Sequence, residues 1–288
     1  VLVDGDEFFG SDPTIATKNL GAKGVNQVQV YEKENPNGTF GDNEKIQVLD
    51  LKLKEDAKKG YFGRISGGTD FALLNGKAFY EGELLLNKFN GTQKISVFAL
   101  GSNTPRSTFA WGDANKFGLD NEESSGGRWE RGNTNNSSGI PRTLKTGIYY
   151  SDKYGKKKNT KLNFNYSYYN NELDAVSASR SQYFLADTTY FTDDSTRNYN
   201  RTESHRFSLK IETKLDSLTT LWIEPRIQMD NAFREKTDIT DFIGENYLSS
   251  LRTSVLNNTD SKGSDIDTEI RFKRLFKKPK RELLVKYE

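Results

Sequence analysis

Between Ser204 and Gln228 (SHRFSLKIETKLDSLTTLWIEPRIQ) apolar and polar side chains alternate on both sides of a short polar break. Phe207, Leu209, Ile211 and Leu215 fall on one face, and Arg206, Ser208, Lys210, Glu212 and Lys214 on the other. After Asp216 and Ser217 the pattern resumes, with Leu221, Ile223 and Ile227 set against Glu224, Arg226 and Gln228. A period of two belongs to a strand, whereas a helix would scatter these charges around its circumference. The stretch therefore predicts a hairpin of two long strands turning at Asp216 and Ser217. Strands of ordinary sandwiches need about five or six residues, and strands that cross a bilayer obliquely need about 9–11, apolar side out and polar side in. This hairpin has the longer form.

The same alternation predicts about nine strands from Tyr61 onward. They cover residues 61–69, 77–89, 94–101, 143–154, 161–170, the two arms of the hairpin, 264–277 and 283–287. The clearest stripe is 161–170, where Leu162, Phe164, Tyr166 and Tyr168 oppose Asn163, Asn165 and Ser167. Short connections at 90–93, 155–159, 216–217 and 278–281 alternate with long ones at 102–142, 171–200 and 231–263. Sorting of loops by length is expected of outer-membrane barrels, whose periplasmic turns are short and extracellular loops long.

The first segment has a different character. Val1 to Gly5 reads as a short strand and turn, and Ser11-Asp12-Pro13 before Thr14–Leu20 reads as a cap, a proline at the first helical position and a short helix. Val25–Tyr31 and Ile46–Leu53 alternate as strands. Residues 1–59 thus predict a small mixed α/β unit, too small for a self-sufficient core, and residues 60–288 a larger β domain.

The run VLVDGDEFFGSDPTIATKNLGAKGVNQVQVYEK resembles the second half of the plug domain of TonB-dependent receptors, in the form typical of outer-membrane β-barrel proteins of the Bacteroidota. Asp4, Gly5, Phe8, Phe9, Gly10, Asp12 and Pro13 carry the plug motif, and GDNEKIQVLDLKLKEDAKKGYFGRISGG resembles that family's passage from plug to barrel. The resemblance implies a mainly β fold, namely an incomplete antiparallel transmembrane β-barrel preceded by part of a small α/β plug. It also implies an outer-membrane location, a TonB-type energy-transducing partner and a surface lipoprotein partner. The chain begins and ends within expected strands, at Val1–Val3 and Leu283–Tyr287, and reads as a fragment.

Composition narrows the picture further. With 34% hydrophobic residues no continuous apolar helix is available to span a bilayer, so a membrane reading requires strands. A net charge of +2 favours no class of partner, and the absence of cysteine is compatible with export through an oxidising compartment. Fourteen tyrosines and 18 phenylalanines suit either interfacial girdles or an all-β core.

Candidate chemistry is sparse. The one histidine, His205, sits at the start of a predicted strand beside Glu203 and Arg206 and reads as structural rather than as part of a Ser/His/Asp site. Asp265, Asp267 and Glu269 share a strand face with Arg271 and Lys273, which reads as a salt-bridged wall. Asp4-Gly5-Asp6-Glu7 lacks the further ligands of a calcium loop, so no metal and no cofactor is expected. The basic clusters at 156–158 and 277–281 lack interleaved aromatics and do not point to nucleic acid. Trp111, Arg128 and Trp129, set among Gly, Asn and Ser in the first long loop, are the candidate ligand-binding residues, suited to a sugar or a peptide.

Three functions follow from these patterns. The favoured one is a plugged outer-membrane receptor for TonB-dependent uptake of a solute, with membrane lipid around it and no enzymatic activity. The second is a barrel of similar build serving secretion, adhesion or envelope assembly. The third is a soluble all-β carbohydrate-binding protein, in which the stripes Phe164–Tyr168 and Phe207–Ile211 would be buried against a second sheet.

Overall fold

The structure is a computed structural model describing residues 2–7, 22–34, 45–70, 78–103, 139–245, 248–278 and 281–288. The strands form two sheets. The smaller contains β1 (Leu2–Val3), β2 (Asp6–Glu7), β3 (Val25–Glu34) and β4 (Lys45–Leu53) in the order β2-β1-β4-β3. β1 runs parallel to β4, and the other pairs are antiparallel. Asp4 and Gly5 make the turn between β1 and β2 at positive φ, 53° and 80°, a conformation suited to an Asp-Gly pair. The turn is anchored because Asp4 Oδ1 accepts the Leu53 N–H at 3.2 Å and the Gly5 N–H donates to Asp50 Oδ1 at 3.0 Å.

The larger sheet is an antiparallel meander in which each strand bonds its neighbours in sequence. It comprises β5 (Lys59–Thr69), β6 (Tyr80–Asn90), β7 (Gln93–Ser102), β8 (Ile140–Tyr154), β9 (Thr160–Phe184), β10 (Thr189–Lys214), β11 (Thr219–Ile243), β12 (Ser249–Leu275) and β13 (Glu282–Tyr287). The hairpin turn between β10 and β11 is held by Asp216, whose Oδ1 accepts the Leu218 N–H at 2.7 Å and whose Oδ2 accepts the Thr219 hydroxyl at 2.9 Å. An aspartate that satisfies backbone donors two residues on is a standard way of closing such a turn.

Registers divide the large sheet into two faces. On one lie Leu85, Phe89, Phe98, Leu100 and Tyr149, which cluster with Val3, Leu51 and Leu53 of the small sheet to form the core. Fully burying such side chains contributes roughly 1.5–3 kcal/mol each. The small sheet is also tied on by Lys94, whose Nζ donates to the Val3 carbonyl at 2.7 Å. Farther along, the same face is polar: Ser151 donates to Asn163 at 2.6 Å, and Arg271 meets Glu224 at 2.6 Å with its guanidinium 5.5 Å from the Trp222 ring. The opposite face carries the apolar stripes. Tyr61 and Ile65 are each 80% exposed there, and Leu86, Ile148, Ile266 and Val285 are exposed as well. The small sheet therefore packs on the face opposite to Phe164–Tyr168 and Phe207–Ile211.

This architecture corrects several expectations. The fold is mainly β, but the transmembrane barrel expected in part is not seen: among the described residues the large sheet is open, with β5 and β13 as its two ends and no pairing between them. Alternation fixes which side chains share a face, whereas closure depends on bonding between first and last strands, to which the pattern is blind. The expected α/β plug is likewise not found among the described residues, where the first segment forms strands and a three-residue 3-10 helix, Ala22–Gly24. The helix expected over 14–20 lies outside the described residues. The connections 171–200 and 231–263, expected as long loops, are extensions of β9–β10 and β11–β12.

Candidate functional site

The extensions bring together residues that the alternation left unassigned. Along the apolar face of β9 and β10 the character changes within a few residues. Phe164 packs edge-on against Phe207 at 5.3 Å, and two rungs farther Tyr168 lies directly opposite His205. Beyond them Asn170 faces Glu203 and Glu172 faces Arg201, and Asp174, Arg197, Arg180 and Asp193 add further charges to the face, interspersed with Val176, Ala178 and Tyr199. The boundary between greasy and ionic surface thus falls on Tyr166, Tyr168 and His205.

These side chains form one half-buried network. The Tyr166 hydroxyl and His205 Nδ1 are 2.9 Å apart, and the Tyr168 and His205 rings lie 4.9 Å centre to centre. Asn170 Nδ2 donates to the Tyr168 hydroxyl at 3.2 Å and to Glu203 Oε1 at 3.3 Å, and the Tyr168 hydroxyl donates to the same oxygen at 3.4 Å. Arg201 donates to Glu203 and lies 3.7 Å from Glu172. The bond from Glu203 holds the Arg201 guanidinium above its ordinary pKa. The arrangement offers ring faces beside a carboxylate, a carboxamide and a guanidinium. That set suits a ligand with C–H faces and hydroxyl edges. Glu203 is shared between Asn170, Tyr168 and Arg201.

Farther out, the same face carries a row of four charges across four strands, Arg180, Asp193, Asp241 and Arg252. Like charges directly opposite are unfavourable, and the two aspartates are flanked accordingly. Arg180 bonds Asp193 through Nε and Nη2, both at 2.5 Å, and Arg252 lies 3.7 Å from Asp241. Arg180 holds the Asp193 carboxyl below its usual pKa. The row pins the register of the extensions.

Of the residues expected from sequence, Asp4 and Gly5 occupy the β1–β2 turn, where the Asp4 carboxylate bonds the Leu53 backbone. Phe8, Phe9, Gly10, Asp12, Pro13, Trp111, Arg128 and Trp129 lie outside the described residues. Asp267 and Glu269 do join an ion-pair lattice with Arg226, Arg271 and Lys286. Among the described residues no group of His, Asp and Glu has the spacing of a metal site. The signal for the β9–β10 extension was present in the sequence: Arg180 and Asp193, and Glu172 and Arg201, are mirror positions about one turn.

No family model, no curated protein and no solved structure matches the chain. The resemblance to TonB-dependent receptors therefore finds no support, and the open sheet removes the closed transmembrane barrel on which plugged uptake depends. The outer-membrane location and the transmembrane strands inferred from that barrel are corrected with it. What the chain defines is a mainly β protein of two unclosed sheets.

Proposed function

We propose that the chain is a non-catalytic binding protein that takes an oligosaccharide on the β9–β10 face, with Tyr168 and His205 as the platform. One observation carries this reading: the two rings stand half-exposed on a sheet face opposite to the one the small sheet covers, ringed by Asn170, Glu203 and Arg201. An aromatic ring gives apolar contact to the C–H face of a sugar at little entropic cost, and planar polar groups at its rim bond neighbouring hydroxyls. In the third sequence reading these stripes were buried against a second sheet. The second sheet packs on the other side, and that leaves the rings available.

The test is binding of the purified chain to a panel of soluble oligosaccharides, with Tyr168→Ala and Glu203→Gln compared at matched folding by circular dichroism. Saturable binding to at least one glycan, weakened about tenfold or more by Tyr168→Ala, is expected. Binding to none, or binding untouched by both substitutions, would overturn the proposal.

A further inference from the structure

The aromatic character of the face that carries Tyr168 and His205 returns farther along β10. Tyr199 lies six residues from His205 on the same strand, and alternation puts it on the same face. Its ring is 6.2 Å from that of Phe233 on β11, which stands directly opposite Arg201, four residues from His205. At a rise of about 3.3 Å per residue, the second ring pair therefore sits about 13–20 Å along the strand from the first. Tyr199 is half-buried and Phe233 is 36% exposed, and the small sheet packs on the other face of the large one.

The stretch between the two pairs is polar. Glu203 and Arg201 of β10 form its floor, with Glu172 of β9 opposite Arg201 and the exposed Asn231 of β11 opposite Glu203. Arg201 bonds Glu203 and lies 3.7 Å from Glu172, so it bridges the two carboxylates. Charges engaged with one another in this way offer hydrogen-bond donors and acceptors to hydroxyl groups without calling for an ionic ligand. A ligand that touches both ring pairs has to be several sugar rings long and extended, because both pairs lie along one strand. A disaccharide reaches one pair alone, and a chain that coils turns its ring faces away before it arrives at the second.

We propose that the binding site continues along β10 to Tyr199 and Phe233, and that its ligand is an extended, unbranched chain of neutral β-1,4-linked sugars. The inference rests on the oligosaccharide reading of Tyr168 and His205. Contact at the first pair makes contact at the second intramolecular, so affinity grows with chain length once the chain spans the gap.

The test is isothermal titration of the purified chain with cello-oligosaccharides from the disaccharide to the hexasaccharide, and with malto-oligosaccharides of the same lengths as coiling controls. Affinity should rise about tenfold or more between cellobiose and cellohexaose, with no such rise in the malto series. Phe233→Ala and, separately, Tyr199→Ala, each at unchanged circular dichroism, should abolish the gain and leave cellobiose binding as it was, whereas Tyr168→Ala should weaken both sugars. Affinity independent of length, a gain that survives both substitutions, or an equal gain in the malto series would overturn this extension and leave the platform at Tyr168 and His205 standing. So would binding through Tyr168 of some other glycan and of no cello-oligosaccharide. Binding of no glycan at all would overturn the platform and the extension together.

Discussion

Gly147 of β8 lies directly opposite Phe98 of β7, and the Phe98 ring occupies the space in which a side chain at 147 would begin. A Cβ at that position would stand 2.5 Å from the ring and 2.7 Å from the Tyr166 carbonyl oxygen. Phe98 is fully buried, so neither contact relaxes cheaply. Gly147→Ala should cost roughly 1–3 kcal/mol, read as a lower midpoint in urea with an unchanged slope. Gly82→Ala, with open space around its Cβ, should cost less.

The two faces of the large sheet should respond oppositely to substitution. Leu85 is 2% exposed in the core, and its truncation to Ala should cost about 2–5 kcal/mol. Ile65, on the apolar but uncovered face, should tolerate Lys with a change within about 0.5 kcal/mol. Equal sensitivity at the two positions would mean that something covers the Ile65 face.

Glu224 and Arg271 are a buried pair, supported by Lys210 at 3.5 Å and Arg226 at 3.8 Å from the same carboxylate. Removing Arg271 leaves the buried Glu224 carboxylate with only the longer contacts to Lys210 and Arg226, so Arg271→Met should cost about 3 kcal/mol. The double change Arg271→Met with Glu224→Gln should recover much of that loss, which a double-mutant cycle by chemical denaturation measures.

Acid should loosen the β10–β11 turn. The backbone N–H of Leu218, and then the Thr219 hydroxyl, hold the Asp216 carboxyl below its ordinary pKa. A depressed carboxylate contributes stability that is fully present above its unfolded value of about 3.9 and is lost as pH falls through its folded value. Asp238, bonded by Lys236 and Thr196, behaves in the same direction. The gap in Tm between the native chain and Asp216→Ala should therefore be constant near neutral pH and narrow below about pH 4. A gap that widens in acid would contradict the assignment.

Much of the large sheet near its short turns was legible because one face of each strand is apolar there. Phe207, Leu209 and Ile211 alternate with Arg206, Ser208 and Lys210, and Phe207 is indeed paired with Ile227 across the Asp216 turn. The extensions of β9–β12 were not legible by the same rule. Around Arg180 and Asp193 the other face carries Ser179, Ser181, Thr192 and Asp194, so periodicity of hydrophobicity vanishes although the strands continue. Their pairing is encoded in charge opposition instead. The candidate site was missed for a related reason. Tyr166 and Tyr168 were read as the end of an apolar stripe and His205 as structural, while their meeting with Asn170 and Glu203 depends on a β9–β10 register that no single strand reveals. The incomplete transmembrane barrel was an extrapolation from strand length, loop spacing and the resemblance of the first residues, none of which fixes how the strands of a sheet join.

His205 is the only histidine in the chain, which makes its imidazole a single resolved reporter at the centre of the proposed platform. The most direct measurement is the side-chain NMR spectrum of His205 during titration with a bound oligosaccharide. A saturable shift with the same midpoint as binding, abolished together with binding in Tyr168→Ala, is expected. An imidazole signal that stays in place while the glycan binds would show that the sugar sits elsewhere and would contradict the β9–β10 site.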